Sequence, residues 1–130
     1  MAPTHTDPKS PINSPENQEL FQVFLAHTPA AIAMLDCQMR YMLASRRWLI
    51  DSGLDDQNII GRSHYEVFPE RLDYWQKIHR RCLSGAVEKC EEDTFQRADG
   101  TTDWVRWEIR PWLNRAGEIG GLIMFIEVIT

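Results

Sequence analysis

The stretch RADGTTDWVRWEIRPWLNRAGEIGGLIMFIEVIT, residues 97–130, constrains the fold more than any other part of the chain. Asp99-Gly100 is a strong hairpin signal because both residues tolerate positive φ. Asn114, Ala116 and Gly117 make the next turn. Three strands follow from these two turns, over residues 87–97, 102–112 and 119–129. In the middle strand, alternation puts Val105, Trp107 and Ile109 on one face and Arg106, Glu108 and Arg110 on the other. In the last strand Leu122, Met124 and Ile126 point inward, and Ile123 and Phe125 share the outer face with Glu127. An apolar outer face has to be covered, either by a helix elsewhere in the chain or by the same surface of a second copy.

The rest of the chain supplies candidates for that cover. Ser14 suits an N-cap, Pro15 the first helical position and Glu16 the positive end of the dipole, opening a helix that Thr28-Pro29 stops. Its Leu20, Val23, Phe24 and His27 fall at helical spacing. Leu20, Phe24, Ile123 and Phe125 are therefore the candidate interface residues of a homodimer. Before this helix, Pro3, Pro8, Pro11 and Pro15 stand among polar residues, which predicts a disordered tail or linker over residues 1–15 and a flanking helix over 16–28. Residues 30–37 and 39–45 read as short strands around Asp36-Cys37-Gln38, the first apolar on both faces and hence deep in a sheet. Residues 46–83 read as short helical pieces broken at Gly53, Gly61 and Pro69, then one longer helix over 72–83 ending at Ser84-Gly85. Trp75, Ile78 and Cys82 share a face of that helix, which should cover the sheet; Lys77, Arg80 and Arg81 lie elsewhere on it.

Size and charge narrow the function classes. The chain has 130 residues, 43% hydrophobic and 25% charged, which fits one compact domain. Its net charge of -5, from 14 basic and 19 acidic residues, gives no footprint for nucleic acid or an anionic membrane. No apolar run approaches the roughly 20 residues of a membrane span, and the first residues lack the apolar core of a signal peptide. Cys37, Cys82 and Cys90 are an odd set without a C-x-x-C pair, which suits free thiols in a reducing compartment. These features predict a cytoplasmic protein.

The order strand, strand, helices, three strands, together with GRSHYEVFPE, HRRCLSGAVEKCEEDTFQRADGTTDWVRWEIRPW and the terminal EVIT, resembles the PAS domain family. The resemblance covers residues 29–130, and the pattern looks like PAS modules of bacterial sensor histidine kinases. It implies an α+β fold: a five-stranded antiparallel sheet with helices packed on one face, here preceded by an N-terminal helix. It also implies a sensory role in a two-component system, in which a small molecule held between sheet and helices biases the signal sent to a C-terminal effector. Family members commonly end in D-I-T before a helix that leads to the effector. Val128, Ile129 and Thr130 stand there in this chain, without the aspartate, as expected of an input domain cut from, or lacking, its output domain. The elements that converge on the inner face nominate Met34, Tyr65, Phe68, Ile78, Trp107 and Met124 as ligand contacts. The other reading is a ligand-free module whose core is simply filled and which serves dimerisation or protein interaction.

The sequence gives little for catalysis or for a resident cofactor. Covalent flavin binding in the family uses a cysteine near the segment that here reads Gly61-Arg62-Ser63-His64, and no thiol stands there. A haem-binding relative supplies its axial histidine from the long helix, but His79 lies nearer the C-terminal end, so both flavin and haem are disfavoured. His79 beside Arg80 and Arg81 reads as a cation favouring the negative helix end. His64 reads as a surface or capping residue, with a ligand or pH-switch role as the alternative. His79 and Cys82, at i and i+3, provide only two certain ligands for a metal. Adjacent residues of the acidic run Cys90-Glu91-Glu92-Asp93 point to opposite faces, so it reads as a solvated strand with Glu91 and Asp93 paired across to Arg106 or Arg110. No nucleotide-binding loop, G-x-S-x-G or H-E-x-x-H motif is present, and an enzyme is not expected.

Overall fold

The structure, a computed structural model, describes residues 14–97 and 99–129. The tail expected over residues 1–15 lies outside the described residues, except that Ser14 and Pro15 open the first helix. In α1 (Pro15–His27) the Ser14 hydroxyl accepts from the Asn17 amide at 3.0 Å, and Pro15 takes the first turn, where its missing N–H costs nothing. Leu25 is the buried residue of this helix, which packs against α2 (Arg46–Asp51).

β1 (Ala31–Asp36) and β2 (Tyr41–Ala44) form a hairpin whose turn is held by Asp36, its Oδ1 accepting from the amides of Gln38 and Arg40. The buried Ser45 then joins three elements. Its hydroxyl donates to the Ala30 carbonyl and accepts from the amides of Ile32 and Trp48, the last of these capping α2. A short α3 (His64–Val67) and the longer α4 (Leu72–Leu83) follow, the latter with the bounds the sequence predicts. β3 (Glu88–Gln96), β4 (Thr102–Leu113) and β5 (Ile119–Val128) complete a five-stranded antiparallel sheet in the order β2-β1-β5-β4-β3. The last strand thus inserts beside the first, and the two halves of the chain close into one sheet.

Register decides which side chains face the helices. Ala33 and Ile109 both pair with Met124, Trp107 pairs with Ile126, and Leu35 pairs with Leu122. Direct partners share a face, so these residues build the inner side together with Ala31 and Val105. On it Val105, Trp107, Ile109, Leu122 and Met124 are buried and Ile126 half-buried, the face that alternation assigned. α4 covers β4 and β5 with Ile78, His79 and Cys82, and α2 covers β1 with Trp48. On the outer side Ile32 pairs with Phe125 and Met34 with Ile123.

β5 carries two glycines directly after its first residue for a steric reason. A Cβ on Gly120 would lie within the Trp112 ring, 2.3 Å from Cη2, and one on Gly121 would sit 1.8 Å from the Leu35 carbonyl oxygen. The Trp112 indole crosses this gap and donates Nε1–H to that same carbonyl at 2.9 Å. Only glycine lets the ring and the β1 backbone approach so closely.

Candidate functional site

Between the inner sheet face and the helices lies a cavity of about 380 Å³. β4 supplies Val105, Trp107 and Ile109 to its wall, and β5 supplies Met124, Ile126 and Val128. The helices close it with Trp48 from α2, His64 and Phe68 from α3 and its end, and Trp75 and His79 from α4; Phe95 of β3 completes an aromatic wall. Trp75 and Trp107 meet edge to face with centroids 5.1 Å apart, and Trp75 stacks on His79 at 5.9 Å. A chamber of this size with apolar walls and a few polar groups has the character of a small-molecule site.

Two histidines are built into that wall. The His64 amide donates to the Met39 carbonyl at 2.8 Å, and Ser63 caps α3 through the Tyr65 amide. That main-chain docking onto the β1–β2 hairpin draws the His64 ring inward, where its Nδ1 lies 2.6 Å from the Tyr41 hydroxyl. His79 follows Trp75 by one helical turn, so it falls on the buried face of α4; its Nδ1 lies 2.8 Å from the Tyr65 hydroxyl. His79 Nε2 is buried without a hydrogen-bond partner among the described residues. Burial, with a smaller repulsion from His79, pushes His64 down to about 3, and burial pushes His79 down to about 4. Both rings are neutral at pH 7. The surface or capping role expected for His64, and the cationic helix-end role expected for His79, are therefore corrected: a neutral buried imidazole serves neither.

The mouth carries the charge. Arg71 adopts a left-handed conformation, φ 55°, where α4 begins, and its guanidinium lies 3.9 Å over the Tyr74 ring. Arg71 Nη1 reaches Asp93 Oδ1 at 3.4 Å, and Asp93 Oδ2 accepts from the Trp107 indole at 3.0 Å. Asp93 thus ties the mouth to the floor. It faces inward because β3 bulges: Cys90 pairs with Trp107 and Asp93 with Val105, so two residues, Glu91 and Glu92, stand opposite the one Arg106. The sequence expectation that Glu91 and Asp93 share the outer face fails at this bulge. Glu91 alone approaches Arg106, at 4.0 Å, while Arg106 pairs more closely with Glu127 at 2.6 Å.

Of the six residues nominated as ligand contacts, Phe68, Trp107 and Met124 line the cavity. Tyr65 stands behind His79 and holds its ring. Ile78 is buried beside a second hollow between α4 and β3. Met34 lies on the outer sheet face opposite Ile123, because the apolar residues of β1 alternate and Ala31, Ala33 and Leu35 take the inner positions. Among the wall residues that sequence reasoning did not nominate are Trp48, His64, Trp75, His79 and Phe95; the spacing of residues 75 and 79 on α4 carried a readable signal. At the nominated interface, Leu20 and Phe24 are 63% and 51% exposed, Phe125 is exposed and Ile123 half-buried. Among the described residues no three His, Cys, Asp or Glu side chains gather where they could hold a metal, and no helix is long and apolar enough to cross a membrane.

Comparison with known proteins places this architecture. No curated protein matches the chain by sequence. Among solved structures, the VqmA dimer of Vibrio cholerae, a LuxR-type receptor described in the absence of its target DNA, superposes with a TM-score of 0.72 at 20% identity over 90% of this chain and 53% of that one. VqmA bound to DPO gives the same TM-score and identity over 90% of this chain and 58% of that one. This chain thus spans a little over half the length of VqmA. The PAS domain of Bordetella pertussis BvgS gives 0.65 at 21% identity, with 88% of each chain covered. The family profile described as PAS fold matches residues 25–130, which contain the whole sheet and the helices that wall the cavity, and the chain belongs to that family.

Proposed function

We propose that this chain is a cytoplasmic sensory module that takes a small molecule into the cavity between sheet and helices and passes the result to an effector beyond its C-terminus. The observation that carries the reading is the cavity itself, roofed by α3 and α4 and lined by a buried histidine nitrogen that lacks a partner. A ligand that meets this wall in one arrangement of helices and sheet and not in another shifts the population between them. β5 supports the outward path, because it forms the cavity floor with Met124, Ile126 and Val128 and leads directly to the end of the domain. A histidine kinase is the effector we favour, on the resemblance to sensor-kinase PAS modules; the likeness to a LuxR-type receptor makes a DNA-binding effector the other arm.

Native mass spectrometry of freshly purified protein tests the reading. An adduct of small-molecule mass that is released on denaturation is the expected outcome, with no flavin or Soret absorption. Only the bare chain mass in every preparation, together with no thermal shift from a library of small metabolites, would favour the ligand-free interaction module. The exposed apolar residues of α1 and of the outer sheet face are the observation behind that second reading.

A further inference from the structure

Two tyrosine–histidine pairs stand side by side in the cavity wall, and each settles the chemistry of one imidazole. A neutral imidazole has one donor and one acceptor nitrogen. Burial holds the Tyr41 and Tyr65 phenols above their ordinary value, so both keep their protons. Each hydroxyl needs an acceptor, since a buried donor left unmade costs about 1–3 kcal/mol, and the acceptor within reach is Nδ1 of its histidine. The ring proton of both His64 and His79 therefore sits on Nε2. His79 Nε2 is buried without a partner among the described residues, as is the Trp48 indole Nε1 in the same wall. The hydrogen bond of the His64 ring is the one at Nδ1, which leaves its Nε2 open, and the two rings are 5.4 Å apart, centroid to centroid, at 77°.

We infer that the Nε2–H groups of His64 and His79 are the recognition end of the cavity, and that the molecule it takes is small, uncharged and largely apolar, with a carbonyl-type acceptor presented to this pair. This rests on the reading that the cavity takes a ligand. Two donors demand an acceptor, which selects against amines. A carboxylate is disfavoured because the wall offers it no countercharge: the cation at the mouth, Arg71, is engaged by Asp93 and lies over Tyr74, and the other charged lining groups, Asp51 and Glu70, are acidic. The remaining wall is mostly aromatic and aliphatic, with Ser52, Thr94, Gln96 and Thr102 as its uncharged polar members, so most of the rest of the molecule is held by apolar contact.

Acetophenone and ethylbenzene, which differ by one carbonyl, form the probe pair, titrated into the full chain and followed by heteronuclear NMR that includes the histidine ring nitrogens. Without probe, both rings are expected as Nε2–H tautomers; an Nδ1–H tautomer at either ring overturns the inference. Acetophenone is expected to shift both Nε2 resonances and to bind about fivefold more tightly than ethylbenzene, the weight of one net hydrogen bond. Tyr65→Phe keeps the ring and removes the hydroxyl. It should release His79 into a mixture of tautomers and reduce the preference for acetophenone about twofold or more, with ethylbenzene binding unchanged. Equal binding of the two probes without a histidine shift overturns the inference and leaves the ligand reading standing. Binding of neither probe likewise overturns the inference, while the ligand reading is decided by the mass-spectrometric and thermal-shift test above.

Discussion

At the scale of single residues, the two neutral imidazoles tie folding stability to pH. Their pKa values are about 3 and 4 in the fold, against 6.5 ordinarily, so between those limits the unfolded chain binds more protons than the folded one. Stability is complete above about pH 6.5 and falls as pH drops through 6 and 5, by about 1.4 kcal/mol per pH unit for each histidine. The carboxylates held low by hydrogen bonds and ion pairs, Asp36, Glu88 and Asp99, lose their contribution only further down, as pH falls through their own ordinary values near 4. Urea midpoints at pH 7, 6 and 5 should decline, and His79→Gln should flatten the decline by about half; an unchanged slope would show that His79 is not buried neutral. Trp107 has a different weight. Its ring is floor, aromatic partner of Trp75 and donor to Asp93, so Trp107→Ala should cost about 3–5 kcal/mol, and a measured loss below about one would mean that β4 faces the other way. Trp107 was legible in the sequence because alternation within a strand is local information. His64 was not, because what buries it is an amide–carbonyl bond to Met39, made 25 residues back in the chain after the fold has closed.

Elements differ in how much of themselves they write into local sequence. α4 did so fully: an apolar stripe, a Ser-Gly stop and helix-favouring composition all agree, and the helix has the expected bounds. β4 and β5 also matched in extent and inner face, because their turns carry glycines with positive φ at Gly100 and Gly117. The bulge in β3 escaped notice, since a run of acids offers no alternation by which an extra residue could be seen. The start of β5 escaped for another reason. Gly120-Gly121 looks like a loosening of the strand, yet it is where three strands are fastened, the Trp112 ring from β4 lying over Gly120 and bonding the β1 carbonyl that crowds Gly121. Gly121→Ala should therefore destabilise the domain by about 2 kcal/mol or more, through contact with main-chain atoms that cannot turn aside. The change should also lower the midpoint of thermal unfolding and alter the Trp112 fluorescence. A loss under about half a kcal/mol would mean that β1 and β5 have room to separate at this point.

For the whole molecule, the unanswered demand is the cover of the outer sheet face. Ile32, Met34, Ile123 and Phe125 form two adjoining cross-strand pairs there, and Phe125 is exposed. α1 could have shielded them by folding back; instead it packs on α2 and leaves Leu20, Phe21, Val23 and Phe24 exposed as well. Two apolar surfaces open on one small domain favour association with a second copy, which would remove both from water at once. Four charged groups of the outer face are already matched within the chain, Arg106 with Glu127 and Arg110 with Glu108, so a partner need not neutralise those. β5 carries Met124 and Ile126 toward the cavity and Ile123 and Phe125 toward the outer face. A ligand-driven shift of this strand would therefore be felt on both sides of the sheet, and at an interface it would reorient any segment joined after β5. Light scattering on the full chain should give a dimer mass at micromolar concentration, and Phe125→Arg should return it to monomer by placing an unpaired charge in the interface. Phe24→Glu should do the same if α1 belongs to the same contact, and leave the dimer intact if the sheet face forms it alone. A monomeric mass at every concentration, indifferent to Phe125→Arg, would sink the interface while leaving the fold, the family and the cavity as they are.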